Sequence, residues 1–390
     1  MIISTSMKRN FLATFVFFSF IGLLCPGQVL ALPEIASFTS VKGEVRIKSS
    51  VRADGKWLRV KKTGVLLYSG DEIRTIAGNA EITFDDGSVM KVSEDTSFTL
   101  EERPTRRKLF GFIDTSFMNR NVKVGFGKLW ANIKKARGKW TSFESKVAVA
   151  GIKGTSISMY VDSRGDLQFA CHEGVAALTK TDGSFEFNLE SGKEVWIKSK
   201  ERGKTLIESV KGELGIESKN GSIGLEDKGS VLIGESAEGT SVAVPGSEEG
   251  IVGVSTDSLN VRLDAGDEIV IGKDELAGET SVTTVRSSSG YIEVGAGDVA
   301  AMLDAGDVFA VSVNRVQGTV TLTVLAGSVE VTRDGQTTEM GAGDSMTDDI
   351  DIIMTDQEGG ESEAETFISI DPVIEPLPVE EDSSSSVFVL

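Results

Sequence analysis

The feature that most constrains this fold is the close recurrence of short strand-like runs between glycine- and aspartate-containing turns. Residues 41–47 alternate apolar and charged side chains, as a half-buried strand does, and residues 80–84 do the same. Turn signals such as Asp54-Gly55 and Asp85-Asp86-Gly87 separate these runs. Between residues 39 and 100 such runs recur about every 8–12 residues, which predicts an all-β sandwich, barrel or solenoid.

The composition excludes several classes of function. One histidine and two cysteines cannot supply a zinc site built on several His or Cys ligands. Nucleophilic catalysis by a Ser-His or Cys-His pair would have to use His172. A formal net charge of −19 argues against nucleic acid as a partner. The 40% of apolar residues is nevertheless enough for packed cores.

Charge and aromatic content divide the chain near residue 200. Residues 34–200 hold 28 Lys/Arg and 21 Asp/Glu, whereas residues 201–390 hold 10 and 38. Ala-Gly-Asp repeats mark the second part, at residues 265–267 and 305–307, with shorter copies ending at Asp298 and Asp344. The predicted domains are an all-β domain (34–200), a Gly/Ser/Glu-rich linker or weak β segment (201–249), an acidic β-module (250–346) and a disordered acidic Pro/Ser tail (355–390).

Residues 1–31 have the order of a secretory signal peptide. The basic Met7-Lys8-Arg9 precedes an apolar run at 11–24, and Val29-Leu30-Ala31 supplies a cleavage site. The run is shorter than the roughly 20 residues that a membrane span needs. We therefore expect cleavage after Ala31, export to the periplasm, cell surface or medium, and no stable transmembrane span in the mature chain.

Glycine-containing motifs follow one another in a fixed order through residues 34–200. They are Ser69-Gly70-Asp71-Glu72-Ile73-Arg74-Thr75, Phe84-Asp85-Asp86-Gly87-Ser88, Gly151-Ile152-Lys153-Gly154-Thr155 and Glu173-Gly174-Val175. This order resembles the FecR-type extracytoplasmic domain of the iron-dicitrate sensor family. The resemblance implies an all-β FecR-like sandwich or solenoid-like domain, no catalysis and no cofactor. It also implies structural roles for Gly70, Asp71, Thr75, Gly87, Gly151, Gly154, Thr155 and Gly174.

The segment at residues 103–153 is the strongest candidate for a binding surface. It holds 13 Lys/Arg against Asp114 and Glu144, with aromatic residues between them. One interpretation is a docking face for a phospholipid surface, an acidic glycan or the chain's own acidic half; the other is a solvated strand face above ordinary core aromatics. On the first interpretation the binding residues are Arg103, Arg106, Arg107, Lys108, Lys134, Lys135, Arg137 and Lys139. Residues 101–120 are expected to form an irregular insertion or loop.

Three other groups of residues invite a chemical role. Cys171 and His172 are adjacent, so on a strand they point to opposite faces, which predicts a core cysteine and an outward histidine. Gly151-Ile152-Lys153-Gly154-Thr155 lacks the spacing of a phosphate-binding loop, and a strand follows it. Acidic residues at 344–351 could hold calcium or only solubilise the chain. We expect no catalytic residue, metal site or cofactor.

These observations together predict an exported, non-catalytic binding or scaffold protein, serving as a sensor or signalling accessory in the cell envelope. Its partner would be an envelope protein, a glycan or an anionic surface ligand. The alternative is a structural or adhesive cell-surface protein that uses the C-terminal β repeats.

Overall fold

The computed structural model describes residues 33–349, except 110–112, 247–250, 257, 277–279, 290–291, 297–298 and 315–316. Nearly all elements are β-strands, which confirms the predicted all-β class. The described residues contain no α-helix, and a single 3-10 turn spans Glu201–Gly203. They therefore include no helix long and apolar enough to cross a membrane. The predicted signal peptide and the predicted tail lie outside the described residues.

Fourteen strands precede the 3-10 turn. They are β1 (Glu34–Lys48), β2 (Leu58–Arg59), β3 (Leu66–Tyr68), β4 (Glu72–Phe84), β5 (Val89–Val92), β6 (Thr96–Leu109), β7 (Ile113–Ile133), β8 (Lys139–Glu144), β9 (Ala148–Ile152), β10 (Thr155–Val161), β11 (Leu167–Glu173), β12 (Val175–Lys180), β13 (Phe185–Glu190) and β14 (Glu194–Ser199).

Sixteen more follow it. They are β15 (Thr205–Lys211), β16 (Leu214–Ser218), β17 (Gly221–Leu225), β18 (Ser230–Ser236), β19 (Gly239–Ala243), β20 (Val252–Ser255), β21 (Asn260–Leu263), β22 (Glu268–Leu276), β23 (Thr280–Ser289), β24 (Ile292–Ala296), β25 (Val299–Leu303), β26 (Val308–Asn314), β27 (Thr319–Ala326), β28 (Ser328–Arg333), β29 (Gln336–Gly341) and β30 (Ser345–Asp349).

From β8 onward the strands form two long ladders. Ladder A continues from β7 through β10, β11, β14, β15, β18, β19, β22, β23, β26, β27 and β30. Ladder B continues from β7 through β8, β9, β12, β13, β16, β17, β20, β21, β24, β25, β28 and β29. After β9 the chain forms one hairpin in ladder A, then one in ladder B, and repeats this alternation. Inward residues of both ladders, such as Phe169 and Leu178, are buried in one continuous core.

The long strand β7 belongs to both ladders, since its first part pairs with β6 and β8 and its last part pairs with β5 and β10. β4 likewise pairs with β6 near its start and with β5 near its end, and β1 pairs with β4 along both parts. Between these two parts Gly43 of β1 and Gly78 of β4 are directly paired. A Cβ on Gly78 would lie 2.0 Å from the carbonyl oxygen of Lys42, a distance that no side chain can occupy. The two backbones therefore approach this closely only because both residues are glycine.

Three copies of the Ala-Gly-Asp motif, those that end at Asp267, Asp307 and Asp344, form corners by which the chain passes from ladder B to ladder A. In each corner the aspartate carboxylate accepts the N–H of the residue three positions earlier. The distances are 2.8 Å at Asp267, 2.8 Å at Asp307 and 2.9 Å at Asp344. The preceding glycine has a φ of 95°, 98° and 95° respectively, a left-handed conformation that glycine adopts without strain. The motif is thus a turn that is stabilised by the side chain of its own aspartate.

The prediction of an irregular insertion or loop at residues 101–120 is wrong. These residues belong to β6 and β7, which pair on either side of the undescribed residues 110–112. Polar pairs across the hairpin, such as Glu102 opposite Arg120, replace the alternation of apolar and polar residues that marks the other strands.

The change in composition at residue 200 does not interrupt strand pairing. β14 pairs with β15, and β13 pairs with β16, across that position. Residues 205–243, expected to be a linker or weak strands, form the five strands β15–β19. The domain boundaries themselves stay a prediction.

Candidate functional site

Four of the eight candidate binding residues lie together between the end of β7 and the first residue of β8. Lys134, Lys135 and Arg137 are exposed there, and Lys139 begins β8. Arg103 lies on β6 with its side chain exposed, 3.1 Å from a carboxylate oxygen of Glu101. Arg106, Arg107 and Lys108 also belong to β6, but their side chains lie outside the described part.

The loop packs against two neighbouring turns. The Lys134 N–H donates to the Ser88 hydroxyl at 3.0 Å, which ties the loop to the turn between β4 and β5. A Cβ placed on Gly154 would lie 3.2 Å from the Cβ of Lys135, so the turn between β9 and β10 is in contact as well. That turn brings the exposed Lys153 to the same end of the ladders. Lys153 was missed as a binding candidate because its motif was interpreted as purely structural.

We call Lys134, Lys135, Arg137 and Lys153 the basic end. Among the residues that the structure describes, no carboxylate lies within ion-pair distance of any of these four cations. Most other lysines and arginines nearby, such as Lys123 and Arg103, do have such a partner. The basic end is therefore a concentration of uncompensated positive charge in a chain whose net charge is −19.

A buried arginine lies on β7, opposite Thr141 of β8 and close to the end of the basic loop. Arg120 of β7 is 1% exposed. Its guanidinium reaches Asp85 at 2.7 Å, Asp86 at 2.9 Å and Glu102 at 3.4 Å, and it stacks 4.1 Å from the centre of the Phe84 ring. The sequence offered no signal for this network, because its members come from three separate strands and a turn.

The network also includes Lys139. Its ammonium pairs with Asp85 and lies 3.9 Å from Glu102, so this candidate is already occupied by carboxylates. Burial would raise the pKa of Asp86, but the Ser88 N–H and the Arg120 guanidinium outweigh it and hold that pKa below its usual value. The Asp86 carboxylate therefore stays ionised beside Arg120, and the ion pairs of Lys139 with Asp85 and Glu102 fix the start of β8, which ends the basic loop.

An open cleft of about 340 Å³ lies where the two ladders separate along β7. β8 stops pairing with β7 at Lys123, and β10 begins to pair with it at Gly127. Lys123, Lys146, Glu72 and Glu144 line the opening. Its charges are mixed, and Lys123 is already 3.4 Å from Glu101, so the cleft has no single preferred charge.

Cys171 is buried at 1% exposure, and His172 is exposed, which confirms the predicted placement of both. Burial raises the pKa of the Cys171 thiol, which opposes formation of the reactive thiolate. His172 Nε2 lies 2.7 Å from the hydroxyl of Ser158. Within the described residues no carboxylate bonds the other ring nitrogen, so the pair lacks the third group that orients a catalytic base.

The eight motif positions contribute to turns and close contacts. Gly70, Gly87, Gly154 and Gly174 have φ values of 91°, 75°, 69° and 83°, as their turns require. The Asp71 carboxylate accepts the Tyr68 N–H at 2.9 Å, the same bond as in the Ala-Gly-Asp corners. Hydroxyls of Thr75 and Thr155 donate to the carbonyls of Ser93 and Val175, and Gly151 lies under the Trp140 ring.

No cluster of three or more His, Cys, Asp or Glu side chains within the described ranges is arranged to hold a metal ion. Asp344 instead accepts the N–H of Gly341 in its own corner. The side chains of Asp348, Asp349 and Asp351, the rest of the predicted calcium cluster, lie outside the described part.

Comparison with known proteins assigns no family. No family model and no curated protein match the chain. Two crystal structures from Parabacteroides distasonis, both named "putative anti-sigma factor", are similar at 15% and 16% identity, each with a TM-score of 0.27. Each match covers 35% of this chain and 59% of the other. A TM-score this low does not establish a shared fold, so the chain is characterised by its own geometry, an all-β stack with a basic end.

Proposed function

We propose that the protein is an exported, non-catalytic binding module of FecR type, which attaches to an anionic envelope surface through its basic end. The signal-peptide order of residues 1–31 and the FecR-like motif order support export and module type. The observation that carries the proposal is the group of four exposed cations, Lys134, Lys135, Arg137 and Lys153, on adjoining turns, with no carboxylate partner in the described part of the chain.

The Arg120 network supports the same function, because it fixes, through Lys139, one end of the loop that carries three of these cations before any ligand arrives. Ordering a loop of long side chains on binding costs free energy, and a loop already fixed at Lys139 and Ser88 avoids part of that cost. Each cation near an anionic membrane surface contributes about 1 kcal/mol. Four of them would strengthen attachment by about 4 kcal/mol, close to a thousandfold.

Docking of the chain's own acidic β-module onto this surface is not part of the proposal. The acidic strands β22–β30 belong to the same two ladders and lie seven or more strand positions from β7. At about 4.8 Å per strand this is a separation of about 34 Å or more, well beyond the Debye length at physiological salt.

Sedimentation with lipid vesicles tests the proposal. The mature chain should bind vesicles that contain phosphatidylglycerol and not vesicles of phosphatidylcholine alone. Replacing the four cations of the basic end by glutamine should abolish this binding. The matched control replaces four exposed cations elsewhere, Lys200, Lys211, Lys219 and Arg262, by glutamine and changes the net charge equally. Equal loss in the two variants would show that only net charge matters and would reject the basic end as the site.

A second candidate function is the structural or adhesive one, which the regular corners at Asp267, Asp307 and Asp344 favour. A rigid stack of repeats is suited to extend from a cell surface. Protease treatment of intact cells distinguishes the two, because a surface fibre is cleaved and a module beneath the outermost envelope layer is not.

A further inference from the structure

The outer face of ladder A carries three large aromatic side chains. Trp130 of β7, Tyr160 of β10 and Trp196 of β14 point away from the core, since their neighbours Leu129, Met159 and Val195 are the buried residues of these strands. Tyr160 is 39% exposed, and the two tryptophans are partly exposed. Burial of aromatic rings is strongly favourable, so rings on the outer face of a sheet call for an explanation.

Strand register places these rings in two neighbouring rows on the outer face of ladder A. Trp130 lies opposite Ser158, which lies opposite Ala170. In the next outward row Tyr160 lies opposite Gln168, which lies opposite Trp196. The small side chains of Ser158 and Ala170 thus lie between the rings. Three strand spacings, about 14 Å, separate the strands that carry the two tryptophans.

We call these six residues the aromatic trough. Polar groups of defined geometry lie in and beside it. The Gln168 amide donates to Glu194 at 2.6 Å, and the Ser158 hydroxyl is paired with His172. Two cations flank the Trp130 end: the Lys91 ammonium lies 5.1 Å from the centre of the Trp130 ring, and Lys128 is exposed opposite Tyr160. In the described part of the chain neither lysine has a carboxylate within ion-pair distance.

We propose that the aromatic trough binds an acidic polysaccharide whose chain runs across the strands of ladder A. Ring faces of tryptophan and tyrosine pack against the apolar C–H face of a pyranose, and amides and carboxylates bond its hydroxyls. Strands repeat at an interval close to the length of one sugar unit in an extended chain, so successive units meet successive strands. The unpaired ammonium groups of Lys91 and Lys128 would then face the carboxylates of uronate units.

The chemistry of the face favours a saccharide over a protein partner. A stable protein interface buries about 800 Å² on each side around an apolar, desolvated centre depleted in charge. Here lysine, glutamine and glutamate alternate with the rings, so such a centre is lacking. The inference goes beyond the proposed function, because none of the four cations of the basic end belongs to the trough.

Calorimetric titration of the mature chain with a hexamer of β-1,4-linked mannuronate, at low salt, tests the inference. Trp130→Ala and Tyr160→Ala should each weaken binding by about tenfold or more. The matched control is Trp140→Ala, which removes a more exposed tryptophan, 42% exposed, from the outer face of ladder B; it should change affinity by less than about twofold. Lys91→Gln should weaken binding and reduce its salt dependence.

Two further measurements separate this inference from the others. The glutamine variant of the basic end should keep its affinity for the hexamer while it loses vesicle binding. The proposed function and this inference can therefore be rejected separately. Urea midpoints of the trough variants should match the wild type, because the substituted rings lie outside the core. The inference is overturned if the intact chain does not bind the hexamer, if neutral cellohexaose binds as tightly, or if Trp140→Ala loses as much affinity as Trp130→Ala.

Discussion

Replacing Arg120 by methionine is the most informative perturbation of this fold. Methionine keeps much of the volume but removes the charge that faces Asp86 and Glu102, whose side chains are 6% and 5% exposed. Removing one partner of a buried ion pair leaves an uncompensated charge and costs about 3–5 kcal/mol. With a urea dependence of about 2 kcal/mol per molar, the midpoint should fall by about 2 M at neutral pH.

The wild type and Arg120→Met should differ in how their free energy of unfolding depends on pH. In the wild type the pKa of Asp86 lies below its usual value, so its stabilisation is present above the unfolded pKa of about 3.9 and is lost as the pH falls through the folded pKa. In Arg120→Met the Asp86 carboxyl is buried without this cation, so its folded pKa rises relative to the wild type. The ionised carboxyl then destabilises the variant at neutral pH, and the deficit against the wild type shrinks as acid protonates it.

Urea unfolding at pH 7.5 and pH 4.5, followed by tryptophan fluorescence, measures both effects, because all four tryptophans lie in residues 34–200. The control is Arg103→Met on the neighbouring strand. Its side chain is 74% exposed, and loss of its pair with Glu101 should cost no more than about 1 kcal/mol. A deficit in Arg120→Met that does not change with pH would mean that the side chain acts by packing alone, and equal deficits in both variants would refute the buried network.

Three other predictions follow from contacts described above. Gly78→Ala should unfold the region where β1 and β4 pair, because the added Cβ would collide with the Lys42 carbonyl oxygen. Thermal unfolding followed by circular dichroism measures this, with Gly253→Ala as the control, because a Cβ on Gly253 meets no atom within 4 Å. Asp307→Ala should cost about 1–3 kcal/mol in urea unfolding, since the buried corner loses its acceptor, whereas the exposed neighbour Asp304→Ala should cost much less. The Cys171 thiol should react with a maleimide only after denaturation, and rapid reaction of the native protein would contradict its place in the core.

Sequence patterns predicted those parts of the fold that depend on local chemistry. Alternation and turn residues predicted the strands, and Gly154, for which the resemblance implied a structural role, has a φ of 69° in its turn. The β6–β7 hairpin was missed because its pairing depends on residues such as Glu102 and Arg120, which are 18 positions apart. The candidate site was only partly predicted from the sequence. The density of positive charge along the chain identified Lys134 and Lys135. Lys153 was missed because it reaches them only through a contact between two turns that are distant in sequence.

The alternation of hairpins between two ladders has a consequence for how such a chain can evolve. The corner aspartates at 267, 307 and 344 are 40 and 37 residues apart, and four strands lie in each interval. The longer interval has a longer hairpin, β22–β23, while the corners keep the same hydrogen bond. Since each unit pairs only with its immediate neighbours, duplication or loss of a whole interval leaves every remaining contact intact. Descendants of this chain should therefore differ in length by whole units, each of which adds two strands, about 10 Å, to both ladders.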